Sequence, residues 1–252
     1  MNTDQVSAQQ AAFDDLYNNV AKYSYHISSD RLMRYISDRR LNKALEVVKI
    51  KYSDKYTQFS ILVVCGGVGG EGIFFIRSGF KNVTVTDISE KSLVIANKLN
   101  KELKTIQANA EELQFADCSY DIVIVQDGLH HLPRPALGFT EMLRVAKKAV
   151  IIIEPQKSLV GKVIGTEWEV HGTAVNYVFR WSKNLLEQLV KSYLLKNYSE
   201  IRYLRYWNHN LQGLKLSKLF PKRFLYPVSR LIYSLLTPFN FCGNMMTAVV
   251  FK

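Results

Sequence analysis

The sequence predicts an α/β fold built on a doubly wound, mostly parallel seven-stranded sheet. Three observations predict it. From Phe59 onward, short apolar runs of strand length alternate with helical segments, the pattern of βαβ units. The first run ends in a glycine-rich turn that opens a helix. The run AVIII at 149–153 is apolar without alternation, as befits a central strand covered on both faces.

Taken in order, residues 1–57 read as a helical cap. Leu32, Tyr35 and Ile36, then Leu41, Ala44, Leu45 and Val48, recur at spacings of three and four. The stretch YSYHISSD interrupts this pattern and ends in the helix-capping residues Ser28, Ser29 and Asp30. The main domain is expected over 58–252, with strands at 60–65, 82–87, 104–108, 120–126 and 149–154. Crossover helices are expected in EKSLVIANKLNKEL and ALGFTEMLRVAKK. Residues 155–180 read as a loop containing Trp168, His171 and Tyr177, and 181–196 as an amphipathic helix. YSEIRYLRYW and NMMTAVVFK supply the last two strands, separated by a long basic and aromatic insertion at 208–240.

Composition narrows the function classes. Of 252 residues, 48% are hydrophobic and 22% charged, which excludes a disordered or collagen-like chain. Cys65, Cys118 and Cys242 form no C-x-x-C pair, which argues against a disulfide framework and for a reducing compartment. The opening MNTDQVSAQQ lacks the basic start and apolar stretch of a secretory signal, so a cytoplasmic location is expected. The most apolar segment, Phe224 to Phe241, contains Arg230 and is broken by Pro227 and Pro238, so it reads as non-spanning. The net charge of +11 is unevenly placed: from Ile201 onward there are eight Lys or Arg and no acid. Such asymmetry fits an anionic partner or a solvated basic face.

The main chemical signal is SILVVCGGVGGEGIFFIRSGF, a strand, a glycine turn and a helix start. Glycines let the backbone approach a nucleotide, and the helix N-terminus supplies unpaired N–H groups. Asp87 ends the next strand, eighteen residues after Gly69, where an acid accepts both hydroxyls of a ribose. The pair selects an adenosine-type cofactor.

With these motifs the chain resembles the Rossmann-like (class I) S-adenosylmethionine-dependent methyltransferases that act on small molecules, from about Phe59 to Pro155. The family's glycine motif maps onto Cys65, Gly67 and Gly69, with Gly66 and Glu71 beside it, and its ribose acid onto Asp87, next to Ile88. ANAEELQF resembles the stretch that contacts adenine, with Asn109 where an Asp is usual, followed by Ala110 and Glu111. Gln126, at the end of the fourth strand, joins these expected cofactor contacts, as does Tyr17 in the preface that folds over the cofactor in relatives. Two positions depart from the pattern: Val63 stands where an acid is usual, and Cys65 where the first glycine is.

The resemblance implies transfer of a methyl group from S-adenosyl-L-methionine to a small-molecule acceptor, foremost O-methylation of a hydroxyl, without a metal. In DGLHHL, His130 and His131 are the candidates for a base that takes the hydroxyl proton, or else they pack and cap the next helix. Tyr23, Tyr25 and His26 in the preface are further candidates, and 156–180 lies where the family lines its acceptor pocket. Asp127 and Glu154 end strands on the ligand side of the sheet but make a poor metal signal alone. A quinone- or lipid-like acceptor, and a non-catalytic cofactor-binding subunit, are the alternatives. A nucleic-acid substrate is disfavoured because no N/D-P-P-Y/F motif follows the fourth strand. The 208–240 insertion reads either as a lid over the acceptor or as a peripheral contact with an anionic membrane. No oligomeric state is implied.

Overall fold

The computed structural model describes residues 2–18, 31–159, 162, 167–171, 174–207 and 218–252. Tyr23, Tyr25, His26 and the cap residues 28–30 lie outside them, as do 208–217 and the side chain of His171. Helices are α1 (Asn2–Tyr17), α2 (Arg31–Tyr52), α3 (Gly70–Arg77), α4 (Glu90–Leu99), α5 (Pro135–Val145), α6 (Lys183–Leu194) and α7 (Lys222–Leu236). Strands are β1 (Ser60–Val64), β2 (Asn82–Asp87), β3 (Lys104–Gln107), β4 (Tyr120–Gln126), β5 (Ala146–Pro155), β6 (Trp168–His171), β7 (Ala174–Tyr177), β8 (Glu200–Tyr206) and β9 (Met245–Phe251).

Seven strands form one sheet in the order β3-β2-β1-β4-β5-β9-β8. The first five are parallel, as short strands joined by crossover helices must be. β9 runs antiparallel to both β5 and β8, with Ile151 opposite Val249 and Tyr203 opposite Ala248. The strand order turns back between β1 and β4, and ligands of open α/β sheets bind at such a switch point.

Alternation along the strands divides the core in two. Leu62, Val64, Val123, Val125, Val150 and Ile152 point to one face, against Phe139 and Leu143 of α5 and Leu186 and Val190 of α6. Ile61, Val63, Ile122, Ile124, Ile151 and Ile153 point to the other, against α2, α3 and α4. Val63 is therefore a core residue, 1% exposed, packed below Gly66 rather than facing the site. Leu41, Ala44 and Val48 of α2 lie in that same core, so this part of the sequence-defined cap covers the sheet.

Two segments differ from expectation. The 155–180 region contains an antiparallel hairpin, β6–β7, rather than loop alone. Its strands are only four residues long, and its outward Val170 and Val175 are exposed, so burial patterning does not announce it. The cross-strand pair Trp168 and Tyr177, with ring centroids 5.3 Å apart, holds it together. In the C-terminal insertion, α7 packs on α2 through Tyr226 and Tyr233 against Tyr35.

Candidate functional site

The site begins where β1 stops. Cys65, Gly67 and Gly69 all take left-handed conformations, with φ of 53°, 49° and 83°. This reverses the chain so that Gly66 N–H donates to Thr86 O and Gly69 N–H to Gly66 O, both at 2.8 Å. At Gly66 a side chain is excluded, since a Cβ would lie 2.6 Å from Val85 Cγ1. The conformation at 65 explains why a glycine is usual there: a non-glycine residue pays roughly 1–2 kcal/mol for it. Burial, then the nearby Asp87, Glu154 and Glu111, push the Cys65 thiol well up, so it stays protonated.

Asp87, at the end of β2, ties this turn to the next loop. Its Oδ2 accepts Gly67 N–H at 2.8 Å and its Oδ1 accepts Ser89 N–H at 2.9 Å. Burial raises its carboxyl, and these backbone bonds oppose the rise. Each oxygen keeps lone pairs for further donors. Ile88, Asn109 and Ala110 line the same cavity, and Asn109 holds its own turn by accepting Glu111 N–H at 3.0 Å. Gln126 donates from Nε2 to Glu71 Oε1 at 3.1 Å, while its Oε1 is buried with no hydrogen-bond partner among the described residues. Burial pushes the Glu71 carboxyl up to about 7.

From the other side, α1 and α2 close the cavity with Gln9, Phe13, Tyr17, Ser37 and Arg40. Tyr17 reaches over the glycine turn: a Cβ on Gly67 would come within 2.6 Å of its hydroxyl. Burial, then Asp87 and Glu71, raise the Tyr17 phenol, so it remains a neutral donor. Arg40 is paired at 2.5 Å with Asp127, whose φ of 52° turns the chain sharply after β4. Sequence reasoning missed Arg40, although it left a signal. The residue sits four after Ile36 and four before Ala44, on the buried stripe of α2, where a charge needs a partner.

The two histidines part company after β4. Glu154, fully buried, accepts Gly128 and Leu129 N–H at 2.8 Å each through Oε1. Its Oε2 lies 2.7 Å from His130 Nδ1. Burial alone would lower the His130 ring, but the Glu154 charge and hydrogen bond outweigh it and push it up to about 9. His130 is not among the residues that line the cavity; His131 is. The latter packs edge-on to Phe13 at 5.6 Å, with Nδ1 at 3.3 Å from Glu169 Oε2. His130, His131 and Glu169 bring ligand-type atoms within 4.8 Å of one another, with His130 Nδ1 facing Glu154 and His131 Nδ1 facing Glu169.

Two expected cofactor contacts sit elsewhere. Glu111 turns into the protein, accepting Arg134 N–H at 2.5 Å, Nε at 2.9 Å and Nη2 at 2.7 Å, because a carboxylate that is 4% exposed requires such donors. Gly69 caps α3 against Ala96 and Leu103 and does not line the cavity. A second cavity lies between α1 and the hairpin, walled by Trp168, Tyr177 and Phe179, and shares Gln9, Leu132 and Pro133 with the first. Gln9 donates both to the backbone carbonyl of His131 and, at 2.7 Å, to Asn176 Oδ1.

The residues present fit S-adenosylmethionine. The backbone is bare at Gly66 and Gly67, Asp87 has acceptor capacity, and the Gln126 carbonyl is an orphaned buried acceptor in the cavity wall. A polar ligand satisfies what the protein leaves unsatisfied.

Residues 63–153 match the family described as a methyltransferase domain. The chain is 28% identical over 193 residues to a ubiquinone/menaquinone biosynthesis C-methyltransferase of Agrobacterium fabrum, covering 73% of this chain and 69% of that protein. The corresponding protein of Nitrobacter hamburgensis is 26% identical over 148 residues, covering 55% of this chain and 57% of its own length. The chain thus spans little more than half of that relative. Among solved structures, a possible histamine N-methyltransferase of Thermotoga maritima superposes with a TM-score of 0.58 at 14% identity, over 96% of this chain and 99% of that one. The magnesium protoporphyrin IX methyltransferase of Synechocystis, solved with S-adenosylhomocysteine bound, gives 0.54 at 18% identity, over 75% and 90%. At such identities these two likenesses concern the fold. From the middle of β1 to the central strand β5, residues 63–153 match a methyltransferase domain, and the chain has the Rossmann-like fold of these solved methyltransferases.

Proposed function

We propose that this chain methylates a ring carbon of a small, quinol-like aromatic acceptor with S-adenosylmethionine as donor. The observation that carries the reading is the second cavity: aromatic, joined to the cofactor cavity through Gln9, Leu132 and Pro133, with His131 lining the cofactor side. The C-methyltransferase names of the relatives favour carbon over the hydroxyl oxygen expected from sequence, and so support the quinone-like alternative.

Bound S-adenosylmethionine supplies a methyl group already activated by its sulfonium. The chain's own part is to bind, orient and manage one proton. Asp87 accepts the ribose hydroxyls, and the glycine turn and Ala110 leave room for the nucleoside. Aromatic walls at Trp168, Tyr177 and Phe179 hold a planar acceptor. Removing a ring-hydroxyl proton makes the adjacent carbon nucleophilic, and His131 is the group assigned to take it; once that carbon has gained the methyl group it sheds its own hydrogen as a proton and the ring oxygen regains one, so that one proton is released overall. A cytoplasmic site of action belongs to the same proposal. No described helix is long and apolar enough to cross a membrane.

Calorimetry with S-adenosylmethionine, followed by mass and NMR analysis of products from quinols, simple phenols and amines, tests the reading. Asp87→Ala should weaken cofactor binding by about 2 to 4 kcal/mol. Because Asp87 also holds Gly67 N–H, Asp87→Asn serves as the milder control and should fall between. Absence of cofactor binding by wild type, or methyl groups found only on oxygen or nitrogen, would sink the proposal. Binding without turnover on any acceptor would leave a non-catalytic subunit as the better description.

A further inference from the structure

α7 carries apolar residues on two opposite faces, and only one is spent against other described residues. Ser229 and Tyr233 are buried, and Tyr226 and Tyr233 lie 5.4 and 5.9 Å from the Tyr35 ring of α2. Arg31 and Arg39 of α2 cover the same two rings at 4.0 and 4.7 Å. On the far side, Phe224, Pro227, Leu231 and Leu235 follow at intervals of three, four and four, which stacks them in one stripe along the helix. Phe224 is 44% exposed, Leu231 60% and Leu235 64%. Leu219 and Phe220 before the helix and Phe239 and Phe241 after it are exposed as well. A stripe of this kind is unlike the scattered single apolar residues of ordinary protein surfaces.

The charge around the stripe has one sign. Lys218, Lys222, Arg223 and Arg230 accompany it, and no acid occurs after Glu200. The groove between α2 and α7 adds Arg31, Arg34, Arg39 and Lys43 against Asp38 and Glu46, and Asp38 is already paired with Arg77. None of the described residues of 218–243 lines the cofactor cavity or its aromatic neighbour, so the lid expected from sequence finds no support.

We propose that α7 and its flanks, residues 218–242, dock on an anionic lipid surface. The apolar stripe enters the interface and the basic residues meet the headgroups. A second copy of the chain would set base against base across the contact. A nucleic acid would leave Leu231 and Leu235 without a function, since they offer no flat ring for a nucleobase. A lipid interface uses both features at once. α2 joins the two regions, giving Arg40 to the cofactor cavity and Tyr35 to α7. The inference goes beyond the proposed reaction and does not depend on it.

Co-sedimentation with phosphatidylcholine vesicles, with and without phosphatidylglycerol, at low and high salt, tests it. The apparent affinity should rise at least about tenfold with anionic lipid and fall again in high salt. Combining Lys218→Gln, Lys222→Gln and Arg223→Gln should weaken binding to anionic vesicles by about a hundredfold. Leu231→Ser with Leu235→Ser should abolish it at low salt. Both sets alter exposed side chains, so thermal unfolding followed by circular dichroism should match wild type. Four results would overturn the proposal: no sedimentation of wild type with anionic vesicles at low salt; vesicle binding that survives the leucine substitutions; a stable dimer by light scattering that requires Leu231 and Leu235; or tighter binding to a mixed-sequence RNA than to vesicles.

Discussion

His130 and His131 are adjacent in the chain and opposite in consequence. His130 is bonded to a fully buried Glu154, so removing its ring strands a carboxylate in the core. His130→Ala should destabilise the fold by about 3 kcal/mol or more in urea unfolding. His131→Ala should leave stability nearly unchanged but lower turnover on a hydroxyl-bearing acceptor by about 10²-fold, with cofactor affinity preserved. The reverse pattern would exchange the two roles. Since His130 is held above its ordinary 6.5, its contribution is complete below that pH and is lost as pH rises through about 9. Glu71 follows the same sign for a different cause. Burial favours its neutral form, so its contribution is present below pH 4.5 and is lost as pH rises through about 7. Glu71→Gln keeps the acceptor for Gln126 and removes the titration. The variant should match wild type near pH about 4.5 and exceed its stability by about 2 to 3 kcal/mol near pH about 8.

At the scale of elements, α1 is held over the cavity chiefly by polar contacts. Gln9 reaches the loop after β4 and the hairpin, Asp14 accepts Ser89 Oγ–H at 2.5 Å, and Asn18 accepts from Lys91 at 3.1 Å. Its sequence is polar and only weakly amphipathic, so tertiary bonds rather than a deep apolar stripe set its position. Gln9→Ala leaves a buried carbonyl and Asn176 without their donor, which costs about 1 to 3 kcal/mol locally. Amide exchange across residues 2–17 should then quicken, while exchange in β4 and β5 stays as in wild type. Loss of protection throughout the sheet would show instead that α1 is part of the global folding unit.

For the molecule as a whole, stability concentrates where strands are buried on both faces. The inner residues of β1, β4, β5 and β9 are almost wholly inaccessible, whereas β3 is largely exposed and the hairpin has exposed outward residues. Hydrogen exchange should therefore place 61–64, 122–126, 149–154 and 246–250 in the slowest class, open only through global unfolding. Residues 104–107 and 168–177 should exchange earlier. Equal protection across all strands would mean that the edges are tied to the centre more firmly than their burial indicates.

Strand positions, the glycine turn and the acid closing β2 were legible in the chain, because each rests on a local rule: alternation or continuous burial, freedom at positive φ, and the position of an acid at a strand end. The doubly wound, mostly parallel sheet and its seventh strand followed from the same rules and from the family resemblance. Other features depended on distant partners. Arg40 meets Asp127 across 87 positions, and Gln9 meets Asn176 across 167. Glu111 looked like a ligand contact until Arg134 took both its oxygens, and His130 resembled His131 until Glu154 claimed one ring. Backbone conformation is set largely within a few residues, so sequence alone determined the framework and the glycine turn after β1. Which polar side chain faces the cavity and which is spent inside depends on desolvation and on partners far away in the chain, and only the tertiary structure decided that.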